Sequence, residues 1–276
     1  MDWLGQLDAG KLILFTLVLT RTSGLLVTAP VFGAAEAPAT VRALLAFTLA
    51  VLVMPTQWHA AYALPAGLPD FALLVGAELL LGLSLGLGLA VFLSGIQMAG
   101  ELISRIGGLT LSDVLDPTSG EPVPLISRLL ALVSTAMFMA IGGHRCVMAG
   151  LLDTFATIPP GGMLAAVLGP GPAEGGPLLP ALARTFTMLV TQSFHLGLRA
   201  SIPVVAAVLL ATLVLGLIGR TLPQLNVLVL GFGLNAMITF GVLGLSLGAA
   251  LFAFRQQIEP TLQLLIEMLG ATARPL

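Results

Sequence analysis

The sequence is poor in charge: its 276 residues include only 11 lysines and arginines and 13 aspartates and glutamates, or 9% of the chain. A typical soluble domain has about 25% charged residues, and a soluble fold of this length needs a charged surface. Hydrophobic residues make up 57% of the chain instead. The scarcity of charge excludes an ordinary soluble domain and indicates an integral membrane protein.

Cysteines and basic tracts are also scarce. Cys146 is the one cysteine, so the chain cannot form an internal disulfide. The formal net charge is -2 and no basic run is present, so the sequence predicts no nucleic-acid partner. Lys11 and the apolar residues after it resemble a signal peptide, but Asp2 and Asp8 precede them and Arg21 interrupts the apolar run. We interpret this segment as a retained first helix.

Uncharged segments mark the expected spans, because a helix needs about 20 mostly apolar residues to cross a bilayer. The clearest are residues 79–100, 200–219 and 227–254. Four shorter or more polar segments fit helices buried against protein or broken helices. They are 12–32, 43–54, 129–143 and 182–198. The predicted fold is an all-α, polytopic membrane protein of kinked, glycine-rich helices and broken helical hairpins, with no sheet.

Two connections interrupt the helices. The first runs from Arg105 to Arg128, and the second, residues 153–180, is rich in glycine and proline and therefore irregular. We predict that the second divides the chain into a larger N-terminal part and a C-terminal helical hairpin. Lysine and arginine are spread almost evenly over the connections, so the positive-inside rule gives no orientation.

The pattern Gly-x-Ser-x-Gly, typical of hydrolase nucleophile elbows, occurs around Ser84 and Ser246. An elbow requires a sharp strand-to-helix turn, whereas both copies lie inside long apolar helices, where glycine favours close helix packing. We therefore predict no catalytic residue. The glycines assigned to helix packing or kinks are Gly82, Gly86, Gly231, Gly233, Gly244 and Gly248.

Metal chemistry is not indicated either. His59, His144 and His195 are far apart, and none has the spacing of a metal site with a second ligand. Asp113 and Asp116 could form a carboxylate pair, but a solvated role on a loop is favoured. We expect no metal, no cofactor and no enzymatic activity.

Arg21 and Glu78 lie within or beside apolar runs, where an unpaired ion costs about 2.5–3.5 kcal/mol. We expect a partner for each: a carboxylate of a neighbouring helix or subunit for Arg21, and an arginine or backbone donors for Glu78. A structural ion pair is favoured over a proton or ion relay, because two unlinked charges make a poor relay.

Several short strings follow one another along nearly the whole chain and together resemble the FliR family of flagellar biosynthetic proteins, with its SctT-like counterparts in virulence-type secretion. They are Arg21–Gly24, Ala29–Gly33, Pro38, Val41-Arg42, Glu78–Gly82 with Gly86, Gly100-Glu101 through Gly107-Gly108 to Asp116-Pro117 and Pro124, Gly142–His144, Asp153–Phe155, Ile158–Gly162, and Pro223–Val227 with Gly231–Gly233. The resemblance rests on their joint order.

The resemblance implies a structural subunit of the type III export gate, in the bacterial inner membrane within the flagellar basal body and raised toward the periplasm. Such a subunit completes a helical channel with FliP-like and FliQ-like subunits, through which unfolded exported proteins pass. FlhB-like and FlhA-like proteins and membrane lipid are the further partners. By the same resemblance, residues 1–160 have a FliP-like topology, 161–180 form a connection, and 181–276 form a FliQ-like hairpin.

A loop plugs the closed channel in this family, and it maps onto about residues 107–124. The expected plug residues are Gly107, Gly108, Leu109, Thr110, Leu111, Ser112, Asp113, Val114, Leu115, Asp116 and Pro117. From the residues alone, an ordinary solvent-exposed loop is favoured over a plug, and it is the resemblance that reverses this preference. This chain has Leu111 and Val114 where relatives often have phenylalanine, and it has Gly231-Phe232-Gly233 where many have Gly-Phe-Pro.

The main alternative function is a small-molecule secondary transporter of the inner membrane. Broken helices and buried charges suit a transporter, but no cluster of polar residues lies at mid-span. An intramembrane hydrolase is disfavoured because the two serines lack a nucleophile context. The sequence leaves both the flagellar and the virulence-type systems open, and we favour the flagellar one.

Overall fold

The computed structural model describes residues 9–30, 32, 38–58, 65, 67–109, 124–162, 178–221 and 227–268. Over these residues the chain forms helices and no β-strand, which confirms the predicted all-α fold. In chain order the helices are α1 (Ala9–Thr28), α2 (Ala39–Val53), a 3-10 helix (Met54–Gln57), α3 (Leu68–Ile106), α4 (Leu125–Ala140), α5 (Gly143–Thr157), α6 (Leu178–Thr221) and α7 (Val227–Met268).

Five helical segments are long and apolar enough to cross a membrane within the described part of the chain. They are α1, α2 with its 3-10 extension, α3, α6 and α7. The pair α4 and α5 is apolar enough for one more span but is bent by 65° between the two helices. Gly142, at this break, has a φ of 84°, a left-handed conformation that glycine adopts without steric cost. The prediction of a polytopic membrane protein with broken helices is confirmed.

Helices α3, α6 and α7 are longer than the spans predicted from charge spacing, with 39, 44 and 42 residues. The predicted separation of residues 182–198 from 200–219 is wrong, because α6 continues through Arg199. Arg199 is exposed, so the helix continues without burying the charge. A charged side chain interrupts a hydropathy pattern, but it leaves the backbone hydrogen bonds of a helix intact.

The chain divides into two compact units. The first contains Met1–Val91, Ile141–Leu189 and Glu259–Leu276, and so includes α1, α2, the first part of α3 and α5. In this unit α1 and α2 are antiparallel neighbours: the Phe15 and Phe47 rings meet edge to face at 5.6 Å, and Lys11 Nζ lies 5.1 Å from the Trp58 ring centroid. The unit is held together mainly by apolar contacts between helices.

The second unit contains Phe92–Ala140 and Val190–Ile258, and so includes the rest of α3, α4 and most of α6 and α7. The Phe92 and Phe254 rings stack at 5.5 Å in its core. Ser127 of α4 donates a hydrogen bond of 2.9 Å to the backbone oxygen of Gln97 in α3. The predicted division of the sequence at residues 160 and 180 was drawn by resemblance to other subunits and stays a prediction.

Candidate functional site

A buried ion pair joins α1 to α3 in the first unit. Arg21 Nε donates a hydrogen bond of 2.6 Å to Glu78 Oε2, and both side chains are 0% exposed. The sequence predicts a partner for each of these charges but does not predict that they pair with each other. Because each charge neutralises the other, the apolar interior contains a polar contact without a net charge.

Arg21 also binds the C-terminal end of α5. Its Nη1 atom donates to the backbone oxygens of Thr154 and Ile158, at 3.1 and 3.0 Å, and lies 3.3 Å from Thr154 Oγ1. The last carbonyls of a helix lack partners within the helix, and they form the negative end of its dipole. The Thr154 oxygen already accepts from the Ile158 N–H at 2.9 Å, so the guanidinium is its second donor. Its positive charge is favourable at this end of the helix.

The ring of Phe155 covers the same guanidinium, whose Cζ atom lies 4.3 Å from the ring centroid. Phe155 is itself buried, so the contact excludes water from one face of Arg21. A desolvated cation over an aromatic face gains roughly 2 kcal/mol or more. Arg21 Nη2 is buried without a hydrogen-bond partner in the described part of the structure.

Glu78 extends the network to the turn after α5. Its Oε1 atom accepts a hydrogen bond of 2.8 Å from the backbone N–H of Gly161. Gly161 has a φ of 84° and lies in a tight turn in which the N–H of Gly162 bonds to the Pro159 oxygen at 2.8 Å. The pair of Arg21 and Glu78 therefore holds the end of α5 and the turn after it against α1 and α3. We call these contacts the Arg21 clamp.

Four of the strings that carry the resemblance meet in the Arg21 clamp. Arg21 begins the first of them and Glu78 begins another, while Thr154, Phe155 and the residues from Ile158 to Gly161 belong to two more. The sequence reasoning missed the α5 residues as partners of Arg21. A helix followed by Pro-Pro-Gly-Gly was the available signal, because it marks a helix end with unpaired carbonyls.

Glycines bring α1 and α3 together around the clamp. A Cβ atom on Gly82 would overlap the backbone of Arg21, and one on Gly86 would overlap the side chain of Thr28. A Cβ on Gly24 would lie 2.9 Å from the Leu79 oxygen. The packing role predicted for Gly82 and Gly86 therefore has a structural counterpart in the first unit.

The α7 glycines have different surroundings. A Cβ atom on Gly231 would meet Leu215 Cδ1 at 3.6 Å, which is an ordinary contact. One on Gly233, Gly244 or Gly248 would have no neighbour within 4 Å among the residues that the structure describes. Their predicted packing is therefore not seen within the described part of this chain.

The predicted plug lies mostly outside the described residues, which include Gly107, Gly108 and Leu109 of it but not residues 110–123. These three residues end α3 in a defined way. Gly108 has a φ of 72° and donates to the Arg105 oxygen, and Leu109 donates to the Ser104 oxygen at 3.0 Å. This is a Schellman motif, in which a left-handed glycine stops the helix.

Gly107 has a separate role at the same helix end. A Cβ atom on Gly107 would lie 2.9 Å from Thr239 Oγ1 of α7. The two glycines therefore fix where the chain leaves α3.

The two Gly-x-Ser-x-Gly patterns form no nucleophile elbow. The Ser84 hydroxyl donates to the Leu81 oxygen at 2.8 Å and the Ser246 hydroxyl contacts the Leu243 oxygen at 3.4 Å, each within one helix. The described residues contain no group of three or more His, Cys, Asp or Glu that could hold a metal ion. His59, Asp113 and Asp116 lie outside them. His144 is half-buried on α5 and His195 is exposed on α6.

Helices α6 and α7 expose long apolar faces. In their span segments only 11% and 17% of the residues of the most apolar windows are buried. The exposed large side chains are Met188, Val190, Phe194, Ile202, Leu209, Leu210, Leu213, Val214, Leu217 and Ile218 on α6, and Leu230, Phe232, Leu234, Met237, Phe240, Leu245 and Phe252 on α7. Apolar faces of this extent indicate contact with lipid or with other proteins.

Comparison with known proteins gives a consistent result. The sequence pattern of a family described as bacterial export proteins, family 1, matches residues 12–261. Flagellar biosynthetic protein FliR of Bacillus subtilis (strain 168) is 29% identical over 263 residues, which cover 93% of this chain and 94% of the relative. FliR of Escherichia coli (strain K12) is 29% identical over 91% of this chain and 86% of the relative. FliR of Aquifex aeolicus (strain VF5) is 30% identical, with coverages of 85% and 86%.

Proposed function

This chain belongs to the bacterial export proteins, family 1, and from that membership we propose that it is a structural subunit of the type III export gate of the flagellum. The observation that carries the proposal is the match over residues 12–261. In this role the chain completes a helical channel with FliP-like and FliQ-like subunits in the inner membrane. Unfolded exported proteins pass through the channel, and FlhB-like and FlhA-like proteins contact it.

The length of α6 supports a protein environment. Its candidate span, Leu182–Thr221, has 40 residues, and the most apolar window within it has a mean hydropathy of 2.6. A continuous helix of that length measures about 60 Å, whereas the hydrocarbon core is about 30 Å thick. A tilt of about 60° would be needed to place all of it in lipid, beyond the range of about 0–40° seen for membrane helices. Sister subunits covering α6 account for the remainder.

The Arg21 clamp has a structural role in this proposal. Breaking a buried ion pair by removing one member costs about 3–5 kcal/mol, because the other charge is left unpaired. The clamp joins α1, α3 and the end of α5, so it fixes the shape that the first unit presents to its neighbours. Both charges are held in fixed contacts, with Arg21 Nη2 the one guanidinium nitrogen that lacks a partner among the described residues. Fixed contacts suit a structural pair better than a proton relay.

The segment of residues 107–124 is proposed as the plug of the closed channel, in agreement with the resemblance. The Schellman motif at Gly108 supports this assignment because it gives the segment a fixed starting direction. Deleting Thr110 to Ser119 should make the gate permeable to small ions in reconstituted membranes. A conductance equal to that of the intact gate would contradict the plug assignment.

Co-purification tests the subunit role. The chain should be produced with an affinity tag, alone and together with FliP-like and FliQ-like proteins of the same organism, and extracted in mild detergent. We expect a discrete complex of fixed stoichiometry from co-production and an aggregating or degraded chain from production alone. A well-ordered monomer from the chain alone, which ignores the other subunits when they are present, would contradict the proposal.

A further inference from the structure

An arginine, Arg42, lines a cavity between α1 and α2. The cavity has a volume of about 290 Å³ and is lined by Ser23, Leu26, Val27, Ala39, Arg42, Ala43 and Ala46. Arg42 Nε is buried and has no hydrogen-bond partner in the structure as described. Five of the seven lining residues are apolar, so the cavity offers one cationic group at an otherwise apolar wall. We call it the Arg42 cavity.

The position of Arg42 within α2 adds to the positive potential. Arg42 lies in the first turn of the helix, which contains no acidic residue, and the residue before the helix, Pro38, makes no side-chain capping bond. The start of a helix is the positive end of its dipole, so a cation there is unfavourable unless an anion is near. The guanidinium and the helix end therefore both favour an anionic occupant.

The depth of the Arg42 cavity can be estimated from the α1 and α2 hairpin. At its other end Lys11 contacts the ring of Trp58, and tryptophan and lysine commonly lie at a membrane–water interface. From Lys11 to Leu26, which lines the cavity, the helical rise adds up to about 22 Å. The hydrocarbon core is about 30 Å thick, so the Arg42 side chain can reach the opposite headgroup layer.

The surface next to the cavity is apolar. On the span that contains α2 only 17% of the residues of the most apolar window are buried. Its exposed large apolar side chains are Val41, Leu44, Leu45, Phe47, Val51 and Leu52. An occupant with a negative head and a long apolar tail would satisfy both the guanidinium and this face.

We propose that the Arg42 cavity binds an anionic phospholipid, with its phosphate at Arg42 and an acyl chain along the apolar wall formed by Ala43 and Ala46. Basic pockets between membrane helices are known to select anionic headgroups. The headgroup depth and the apolar wall favour a lipid over a carboxylate from another subunit. This proposal does not depend on the role in export.

The retention of bound phospholipid after detergent exchange tests the proposal directly. The tagged full-length chain, with whatever subunits co-purify, should be exchanged into detergent containing phosphatidylglycerol or phosphatidylcholine and examined by native mass spectrometry. We expect a bound phosphatidylglycerol that is retained about fivefold better than phosphatidylcholine, since one basic residue contributes this much near an anionic headgroup. Inorganic phosphate should not displace it, because phosphate cannot occupy the apolar wall.

Four variants distinguish binding in the Arg42 cavity from other causes of phospholipid retention. Arg42→Gln should lower phosphatidylglycerol retention about fivefold and Arg42→Lys should preserve most of it. Ala43→Leu should lower retention by filling the cavity while the arginine stays in place. Arg184→Gln, which removes an exposed arginine from α6, is the matched control and should change nothing.

Three results would overturn the proposal. The first is equal retention of phosphatidylglycerol by the native chain and Arg42→Gln, or no preference for it over phosphatidylcholine. The second is displacement by inorganic phosphate with Ala43→Leu unaffected, which would show a site for the anion alone. The third is loss of a co-purifying subunit in Arg42→Gln with lipid retention unchanged, which would show a protein carboxylate at Arg42. If Arg42→Gln does not accumulate, two comparisons test the proposal instead. They are the preference of the native chain for phosphatidylglycerol over phosphatidylcholine and the loss of retention in Ala43→Leu.

Discussion

Gly82 lies so close to Arg21 that a Cβ atom on the glycine would overlap the arginine's carbonyl oxygen. Gly82 is four residues after Glu78, so both occupy the same face of α3. The missing side chain lets α1 approach α3, and that approach lets the Arg21 guanidinium reach the Glu78 carboxylate at 2.6 Å. Close packing and charge pairing in the first unit are therefore parts of one arrangement.

Substitution of Gly82 by alanine should destabilise the protein, because backbone atoms of Arg21 already occupy the space that the new methyl group needs. Overpacking of this kind costs about 1–3 kcal/mol. The matched control is Gly248→Ala on α7, where a Cβ atom meets no described residue within 4 Å. Helix propensity should improve stability there by about 0.5–1 kcal/mol. The heat resistance of the chain in native membranes, measured without purification, compares the two. Equal effects of both substitutions would contradict the packing account.

The same Gly248→Ala substitution has a second expected outcome in the assembled gate. If sister subunits pack on the α7 glycines, the added methyl group should weaken the complex although the chain alone is unharmed. Quantifying co-purified subunits for native and substituted chains measures this. An unaltered yield of complex for Gly233→Ala, Gly244→Ala and Gly248→Ala would show that no subunit packs closely there.

Removal of the Glu78 carboxylate should destabilise the chain by about 3–5 kcal/mol, since Arg21 would remain charged and buried. The test substitution is Glu78→Ala, and the double substitution Arg21→Met with Glu78→Leu should recover a large part of the loss because no charge is left behind. Asp70→Asn, at an exposed carboxylate in the same helix, is the control and should have little effect. The amount of folded protein in membranes and its melting temperature report the result. A double variant no more stable than Glu78→Ala would contradict the pairing.

Substitution of Gly108 by alanine should loosen the end of α3. A left-handed conformation costs a residue with a Cβ atom about 1–2 kcal/mol, and Gly108 has a φ of 72°. Asparagine tolerates this conformation better, so Gly108→Asn should cost less. Hydrogen exchange of the amides of Gly108 and Leu109, which bond back into the helix, measures the effect. Unchanged exchange in Gly108→Ala would exclude the proposed helix stop.

Substitution of Ser84 and Ser246 by alanine should leave export intact. Both hydroxyls contact carbonyls of their own helices, so stability should change by less than about 1 kcal/mol. Secretion of flagellar subunits and swimming motility are the readouts, with Gly82→Ala as the variant expected to lower both. Loss of export with normal protein levels in Ser84→Ala or Ser246→Ala would contradict this expectation and indicate a catalytic role for that serine.

The helical fold could be predicted from the sequence because charge is so sparse that its spacing outlines α3, α6 and α7. The lengths of these helices could not, since apolar periodicity ends at a charged residue such as Arg199 while the backbone bonds continue. The break between α4 and α5 lies at Gly142, within a string that resembles the family. The angle of this break depends on how the two helices pack in the folded chain, which cannot be predicted from the sequence pattern.

The Arg21 clamp was only partly predictable. Because an unpaired buried charge is energetically unfavourable, the sequence predicts that Arg21 and Glu78 have partners. Their mutual pairing, and the contacts of Arg21 with carbonyls 133 and 137 residues away, depend on how α1, α3 and α5 are arranged. The sequence also does not distinguish Gly82, which faces α1, from Gly248, whose Cβ position has no neighbour within 4 Å among the described residues.

Photo-crosslinking in intact cells tests whether sister proteins cover the exposed apolar faces of α6 and α7. A photoreactive amino acid at Leu213 or Phe240, which are 62% and 54% exposed, would react with whatever covers these helices. We expect adducts with FliP-like or FliQ-like proteins at both positions, with a probe at buried Leu17 as the negative control. Adducts with lipid alone at both exposed positions, in cells that export flagellar subunits normally, would contradict it.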